Sequence, residues 1–195
     1  YIDKSRLIIV ASAMKGITDE LINFYKKSCS EELDCELILK NINYQHRNLI
    51  DKLMESNSKE YERAIDFLRK NIEELTQLGH VIRLIRPSAD IQDLIISYGE
   101  KLSTFILTEY LNCNGFKSKY FASNELILTD DNFGNALPLL EDTESLINDR
   151  LVPILKSDPK LTACITGFFA STKEDKKITT LGRGGTDLTA AIIAY

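Results

Sequence analysis

Residues Arg6–Ala13 read RLIIVASA, an apolar run with β-branched side chains, the pattern of a strand buried on both faces of a parallel sheet. A loop follows, and then Leu21, Ile22, Phe24 and Tyr25 lie on one side of a helix that Thr18 or Asp19 can cap. Between Glu36 and Leu78 the apolar positions recur at helical spacing. Leu39, Ile42, Leu49 and Leu53 predict one long amphipathic helix, and Tyr61, Ile65, Leu68, Ile72 and Leu75 a second. Gly79 is placed to stop that second helix in a left-handed cap. Pro87 and Ser88 open a further helical stretch to Cys113, which Gly115 ends. Residues 36–113 thus read as a mainly helical insertion in an α/β core. Lys119–Ala122 is a short strand, residues 130–138 a loop rich in Asp, Asn and Gly, and Glu141–Lys156 a helix that Pro153 ends or kinks. Ala163–Ala170 (ACITGFFA) is a second buried strand. Ile178–Leu181 is a third, and a glycine-rich loop then delivers Thr186 to the start of a helix.

The 195 residues suffice for one domain whose core needs neither metal nor disulfide staples. With 24 Lys and Arg against 29 Asp and Glu, the net charge of -5 has the wrong sign for sequence-independent nucleic-acid binding, so an anionic ligand has to be attracted locally. The apolar runs fall far short of the ~18 residues of a spanning helix, and no basic-then-apolar leader opens the chain, which predicts a cytoplasmic protein without a membrane partner. Four scattered cysteines and two histidines argue against zinc and against a disulfide framework, and no metal ligands are assigned. The chain starts at Tyr1 rather than Met, and Tyr195 lies inside an apolar helical run, so both ends read as cuts.

The most informative string is TTLGRGGTDLTAA, Thr179 to Ala191. Gly182, Gly184 and Gly185 allow positive φ and a close approach of backbone N–H groups to a ligand. Thr186 is placed to cap the following helix, whose positive end faces the same space. Arg183 adds a planar guanidinium that can grip a carboxylate or phosphate with two prongs. Asp187 is unexpected in an anion site; its carboxylate caps the helix, or holds a metal or the loop N–H groups. Neither the Walker A pattern nor G-x-G-x-x-G fits this loop. A similar strand-loop-helix recurs at Ser12–Asp19, where Thr18 reads either as a simple cap or as a ligand residue and Lys15 as a solvated surface lysine. Two such loops could hold two anions together at the carboxyl ends of parallel strands. Gly99 inside a helical pattern implies that something approaches the backbone there, while its neighbour Glu100 reads, on periodicity alone, as part of a solvated helix face.

VASAMKGITDEL (Val10 to Leu21), SYGEKLS (Ser97 to Ser103), TDDNFGNA (Thr129 to Ala136), ITGFFAS (Ile165 to Ser171) and TLGRGGTDLTAA (Thr180 to Ala191) resemble, in order, the signature segments of the aspartate kinases. The resemblance implies the amino acid kinase fold, a three-layer α/β/α sandwich around a mainly parallel sheet. It also implies ATP-dependent phosphorylation, with Mg²⁺, of the side-chain carboxylate of L-aspartate, the first step toward lysine, threonine and methionine. By the same resemblance Thr18, Glu100, Phe168, Arg183 and Thr186 fall on aspartate-site positions, and Ser12, Gly184, Gly185 and Asp187 near the transferred phosphate; Arg183 and Asp187 are the catalytic candidates. Thr186 stands where many members have Ser.

The chemistry is consistent with the residues present. A carboxylate of pKa about 3.9 is already ionised at pH 7 and needs no general base, so positioning and charge neutralisation suffice. The family's Lys-Phe-Gly-Gly-Thr-Ser strand-loop is expected before Tyr1, and the adenine-binding half and ACT domains after Tyr195. Residues 1–195 therefore read as part of a catalytic domain, inactive alone, from an enzyme that associates with copies of itself. The alternatives are another family member acting on a different carboxylate or carbamate, and a noncatalytic ligand-binding module.

Overall fold

The structure, a computed structural model, describes residues 7–30, 35–85 and 87–195; Tyr1 and Arg6 lie outside these. In chain order the elements are β1 (Ile8–Ala11), α1 (Ile17–Cys29), α2 (Cys35–Leu53), α3 (Lys59–Ile82), α4 (Ala89–Ile96), α5 (Tyr98–Cys113) and β2 (Ser118–Phe121). A 3-10 turn at Ser123–Glu125 leads to β3 (Leu128–Thr129), α6 (Leu140–Arg150), α7 (Val152–Ser157) and β4 (Thr162–Thr166). β5 (Phe169–Thr172), β6 (Ile178–Thr180) and α8 (Gly185–Ala194) follow.

One sheet runs β1-β4-β2 with both pairings parallel, Ile8 opposite Ala163 and Phe121 opposite Ile165. Ile8, Val10, Phe121, Ala163 and Ile165 turn toward α6, α7 and α8, where Ile147, Leu155 and Ile192 complete the core. The alternate residues face α5: the Tyr120 ring meets Phe105 edge-on at 5.6 Å. Helix, sheet and helix thus make three layers. A second sheet runs β3-β5-β6, parallel between β3 and β5 and antiparallel between β5 and β6. The helices α1, α2, α3 and α5 close over their own core, with Leu21, Phe24, Ile42, Leu75 and Leu102 buried on the α5 side of the sheet.

Several local expectations are corrected. β1 is half-buried rather than buried on both faces, because among the described residues only β4 pairs with it. The apolar run at 163–170 is two strands in two sheets. Phe168 takes φ 72, and the Phe169 N–H donates across it to Gly167 O at 2.9 Å, a γ-turn of the rarer hand that bends the chain. Gly79 caps nothing: α3 runs through it to Ile82, and a Cβ there would lie 2.8 Å from Phe24 Cζ, so the missing side chain admits α1 instead. The stretch after Pro87 breaks at Ser97 into α4 and α5, and the stretch around Pro153 breaks at Leu151 into α6 and α7, with the proline in the first turn of α7. β3 was not expected, since two residues are too short for any periodicity. Gly115 does end α5, at φ 82, with Phe116 N–H returning to Leu111 O and Gly115 N–H to Asn112 O.

Candidate active site

The first loop leaves β1 and enters α1 through Gly16 in the left-handed conformation (φ 86), with no side-chain cap. Thr18 and Asp19 therefore lie inside the first turn and not at the cap. The second loop leaves β6 through Gly182 (φ 71) and enters α8 through Gly184 (φ 78), again uncapped by any side chain, so neither Thr186 nor Asp187 caps the helix. The first N–H of each helix turns back into its loop, Ile17 to Met14 O at 3.0 Å and Gly185 to Gly182 O at 3.1 Å, and a glycine cap has no side chain to take the remaining first-turn N–H groups. Two positively polarised helix ends result.

Each loop is held from behind. A Cβ on Gly99 would lie 2.8 Å from Ala13 Cβ, so the glycine of α5 lets the first loop pass directly over it. Glu100 Oε1 accepts the Ala13 N–H at 3.1 Å, and Ser103 Oγ donates to Ser12 O at 2.6 Å. On the other side, Leu181 N–H donates to Phe168 O at 2.8 Å, and Phe168 N–H donates to Thr189 Oγ1 at 3.1 Å. The Phe168 ring occupies the space beside Gly185 that a Cβ would need. This lattice keeps a phenylalanine at positive φ, where a backbone costs roughly 1–3 kcal/mol and persists only when its surroundings over-determine it.

The loops enclose a cavity of about 290 Å³. Ser12 and Thr18 line it from the first loop, Glu100 from α5 and Phe168 from the bend. Arg183, Gly184, Gly185, Thr186 and Asp187 line it from the second loop and α8. All nine residues singled out from the sequence are thus brought together from segments up to 175 positions apart. Lys15 is exposed and does not line it. A larger groove of about 480 Å³ lies between α6 and α8, but its walls are mostly aliphatic and carry no converging charges.

The electrostatics of the cavity are divided. Glu100 is 2% exposed, which corrects the solvated helix face that periodicity favoured. Burial pushes its carboxyl up to about 7, against the Ala13 N–H and the nearby Ser12 hydroxyl that favour the ionised form, and Oε2 has no partner at hydrogen-bonding geometry. A buried carboxylate oxygen without a partner is costly, and a cationic group entering the cavity would relieve that cost. Arg183 is exposed and lines the same cavity, and its guanidinium can receive an anion with two bonds. The open N–H groups of both helix ends suit phosphate oxygens. Among the described residues no group of three or more His, Cys, Asp or Glu could hold a metal ion.

Two contributors escaped the sequence. Ser103 anchors the first loop. Asp93, in α4, is 2% exposed and accepts Gly134 N–H and Thr180 N–H, each at 2.8 Å, and Thr180 Oγ1 at 3.0 Å. Its signal was visible: an acid among Ile91, Leu94, Ile95 and Ile96 has to find buried donors.

The sequence pattern of the amino acid kinase family matches residues 1–195. Aspartokinase 1, chloroplastic, of Arabidopsis thaliana is 32% identical over 190 residues, which are 95% of this chain and 32% of the relative. The lysine-sensitive aspartokinase 3 of Escherichia coli (strain K12) is 28% identical over 196 residues, 98% of this chain and 40% of that one. The chain therefore spans between about a third and two fifths of the length of these relatives. Its fold is similar to E. coli aspartokinase III in complex with lysine and aspartate (TM-score 0.85, 27% identity) and to the same enzyme in complex with aspartate and ADP (TM-score 0.84, 28% identity). Each comparison covers 98% of this chain and 40% of the other. With its three layers, its two glycine-capped loops and a family pattern that runs from end to end, the chain belongs to the amino acid kinase family.

Proposed function

We propose that the protein phosphorylates the side-chain carboxylate of L-aspartate with ATP, giving 4-phospho-L-aspartate and ADP. The observation that carries this reading is the cavity lined by both Glu100, whose Oε2 has no partner, and Arg183, beside the first turns of α1 and α8. An amino acid needs a negative site for its ammonium and a positive one for its α-carboxylate. Glu100 and Arg183 supply them, with Thr18 at the reacting end and Phe168 and Thr186 completing the wall. The resemblance to aspartokinases, two of whose structures hold aspartate and one ADP, supports this choice of substrate and of nucleotide.

The chemistry asks little beyond placement. A side-chain carboxylate oxygen attacks the γ-phosphorus, the bond to the bridging oxygen breaks, and ADP leaves with that electron pair. No proton has to move. Gly184, Gly185 and Ser12 line the cavity where charge on the transferred phosphoryl group would be neutralised, the Gly184 N–H and the Ser12 hydroxyl as donors, and Asp187 stands at the same end of α8. Mg²⁺ would arrive with the nucleotide phosphates and screen their charge; Asp187 is the acid of the site able to face it. No Lys-Phe-Gly-Gly-Thr-Ser segment occurs within the 195 residues, so these alone are expected to show little or no kinase activity and weak binding of Mg-ATP. No helix among the described residues is long and apolar enough to cross a membrane, and the proposed location is cytoplasmic.

Hydroxylamine converts an acyl phosphate to a hydroxamate. The complete protein, given ATP, Mg²⁺ and aspartate, is expected to form the hydroxamate only when both substrates are present. Turnover of a different carboxylic acid or of a carbamate would instead select another reaction of the family. No turnover with any of these would leave a ligand-binding module.

A further inference from the structure

Burying a carboxylate is costly unless donors surround it, and Asp93 accepts from three donors, with no ion pair among the described residues. Oδ2 takes the backbone N–H of Gly134 and of Thr180, and Oδ1 takes the Thr180 hydroxyl. The carboxylate thus joins α4 to the 130–138 loop and to the last residue of β6. Around this point the contacts continue toward the cavity. Ala136 N–H donates to Thr180 O at 2.9 Å, and the Asn135 side chain fills the space that a Cβ on Gly182 would require. Leu181 N–H is fixed to Phe168 O. Arg183 follows three residues after Thr180, flanked on both sides by glycines that cannot by themselves hold a direction.

Asp93 does not line the cavity, so any effect on the substrate has to pass through the loop. We propose that Asp93 is a positioning residue for aspartate phosphorylation: its buried carboxylate seats the Leu181–Gly184 loop and so aims the Arg183 guanidinium at the substrate carboxylate. This rests on the function proposed above. Asp90, one turn earlier, pairs with Lys177 at 2.9 Å and pins the neighbouring β5–β6 turn, but it lies outside this chain of contacts.

The test is a double-mutant cycle in the complete protein. Asp93→Asn keeps the shape but points an amide N–H₂ at groups that already donate. It is expected to raise the KM for aspartate about tenfold or more, within the hundredfold that a 1 Å misplacement can cost, with the KM for ATP nearly unchanged. In an Arg183→Ala background the same change should alter aspartate kcat/KM by less than about threefold, because the group being aimed is gone. Equal losses in both backgrounds, or an unchanged aspartate KM in a folded Asp93→Asn protein, would overturn the proposal. Should Asp93→Asn fail to fold, Thr180→Val removes only the hydroxyl donor. It should raise the aspartate KM roughly threefold and lose that effect without Arg183, and no change would count against Asp93. A wild-type protein that does not phosphorylate aspartate would refute the functional reading itself, which is a different outcome from an active enzyme indifferent to Asp93.

Discussion

Glu100 holds the backbone N–H of Ala13 at 3.1 Å with one carboxylate oxygen and leaves the other buried without a partner. The same side chain therefore fixes the first glycine loop and presents an unsatisfied negative site to the cavity. Its carboxyl, pushed up to about 7 from 4.5, is poised to lose a proton when a cation arrives.

That linkage has a sign. In the free protein, native Glu100 keeps a proton between pH 4.5 and 7 that the unfolded chain has lost, so its contribution to stability shrinks as pH rises through this window. An amino acid ammonium favours the ionised form. Aspartate affinity should then fall roughly tenfold per pH unit below 7 and level off above it, with proton release on binding. Calorimetry between pH 5.5 and 8 in buffers of different ionisation enthalpy measures both, and Glu100→Gln should flatten the profile while weakening binding. A flat wild-type profile would remove Glu100 from the ammonium site.

Arg183→Ala should leave a substrate carboxylate unpaired and cost roughly 2 to 5 kcal/mol, about 30-fold to several thousand-fold in kcat/KM for aspartate. Arg183→Lys should rescue little, since an ammonium cannot reproduce the two-pronged contact. Steady-state kinetics, with circular dichroism to confirm the fold, decide the matter. A change below about threefold is what a solvated loop residue would give.

Two buried helical glycines separate stability from function. A methyl group at either Gly79 or Gly99 would meet a neighbouring side chain at 2.8 Å, Phe24 in one case and Ala13 in the other. Overpacking of about 1–3 kcal/mol, offset by about 1 kcal/mol of helix propensity, should lower Tm by up to roughly 8 °C in both alanine variants. Only Gly99→Ala displaces the loop that carries Ser12, so only it should also lower kcat/KM. Equal kinetics in the two variants would show that the loop tolerates the shift.

His46 is buried in α2. A carbonyl only accepts, so its contact with Ile42 O at 2.7 Å places the proton on Nδ1, and Nε2 has no partner. Burial holds the pKa below 6.5, so as pH falls through 6.5 the unfolded chain takes up a proton that the native state refuses, and stability is lost. His46→Leu should reduce the loss between pH 7.5 and 5.5 by about 1 kcal/mol, read from urea midpoints. An unchanged acid sensitivity would mean that His46 is protonated in the fold.

Much of the site was legible because its chemistry is local. Gly182, Arg183 and Gly184 announce a ligand loop by residue type alone, and SYGEKLS pairs a close-approach glycine with the acid beside it. The caps misled, since Thr18, Asp19 and Thr186 are good capping types, yet Gly16 and Gly184 take those positions at positive φ. Asp93 and Ser103 passed unnoticed because their partners are 41 to 91 residues away.

The sequence by itself determined the alternation of strands and helices, the helical block before residue 113 and the identity of the charged and glycine-rich groups. These depend on periodicity and residue chemistry within a few positions of one another. Only the tertiary structure decided that ACITGFFA bends at Phe168, that β1 is half-buried and that Glu100 is buried with one oxygen unpaired. Burial and pKa are set by what lies across space, and the glycine that lets Ala13 approach within contact of α5 acquires its meaning only when that neighbour is in place.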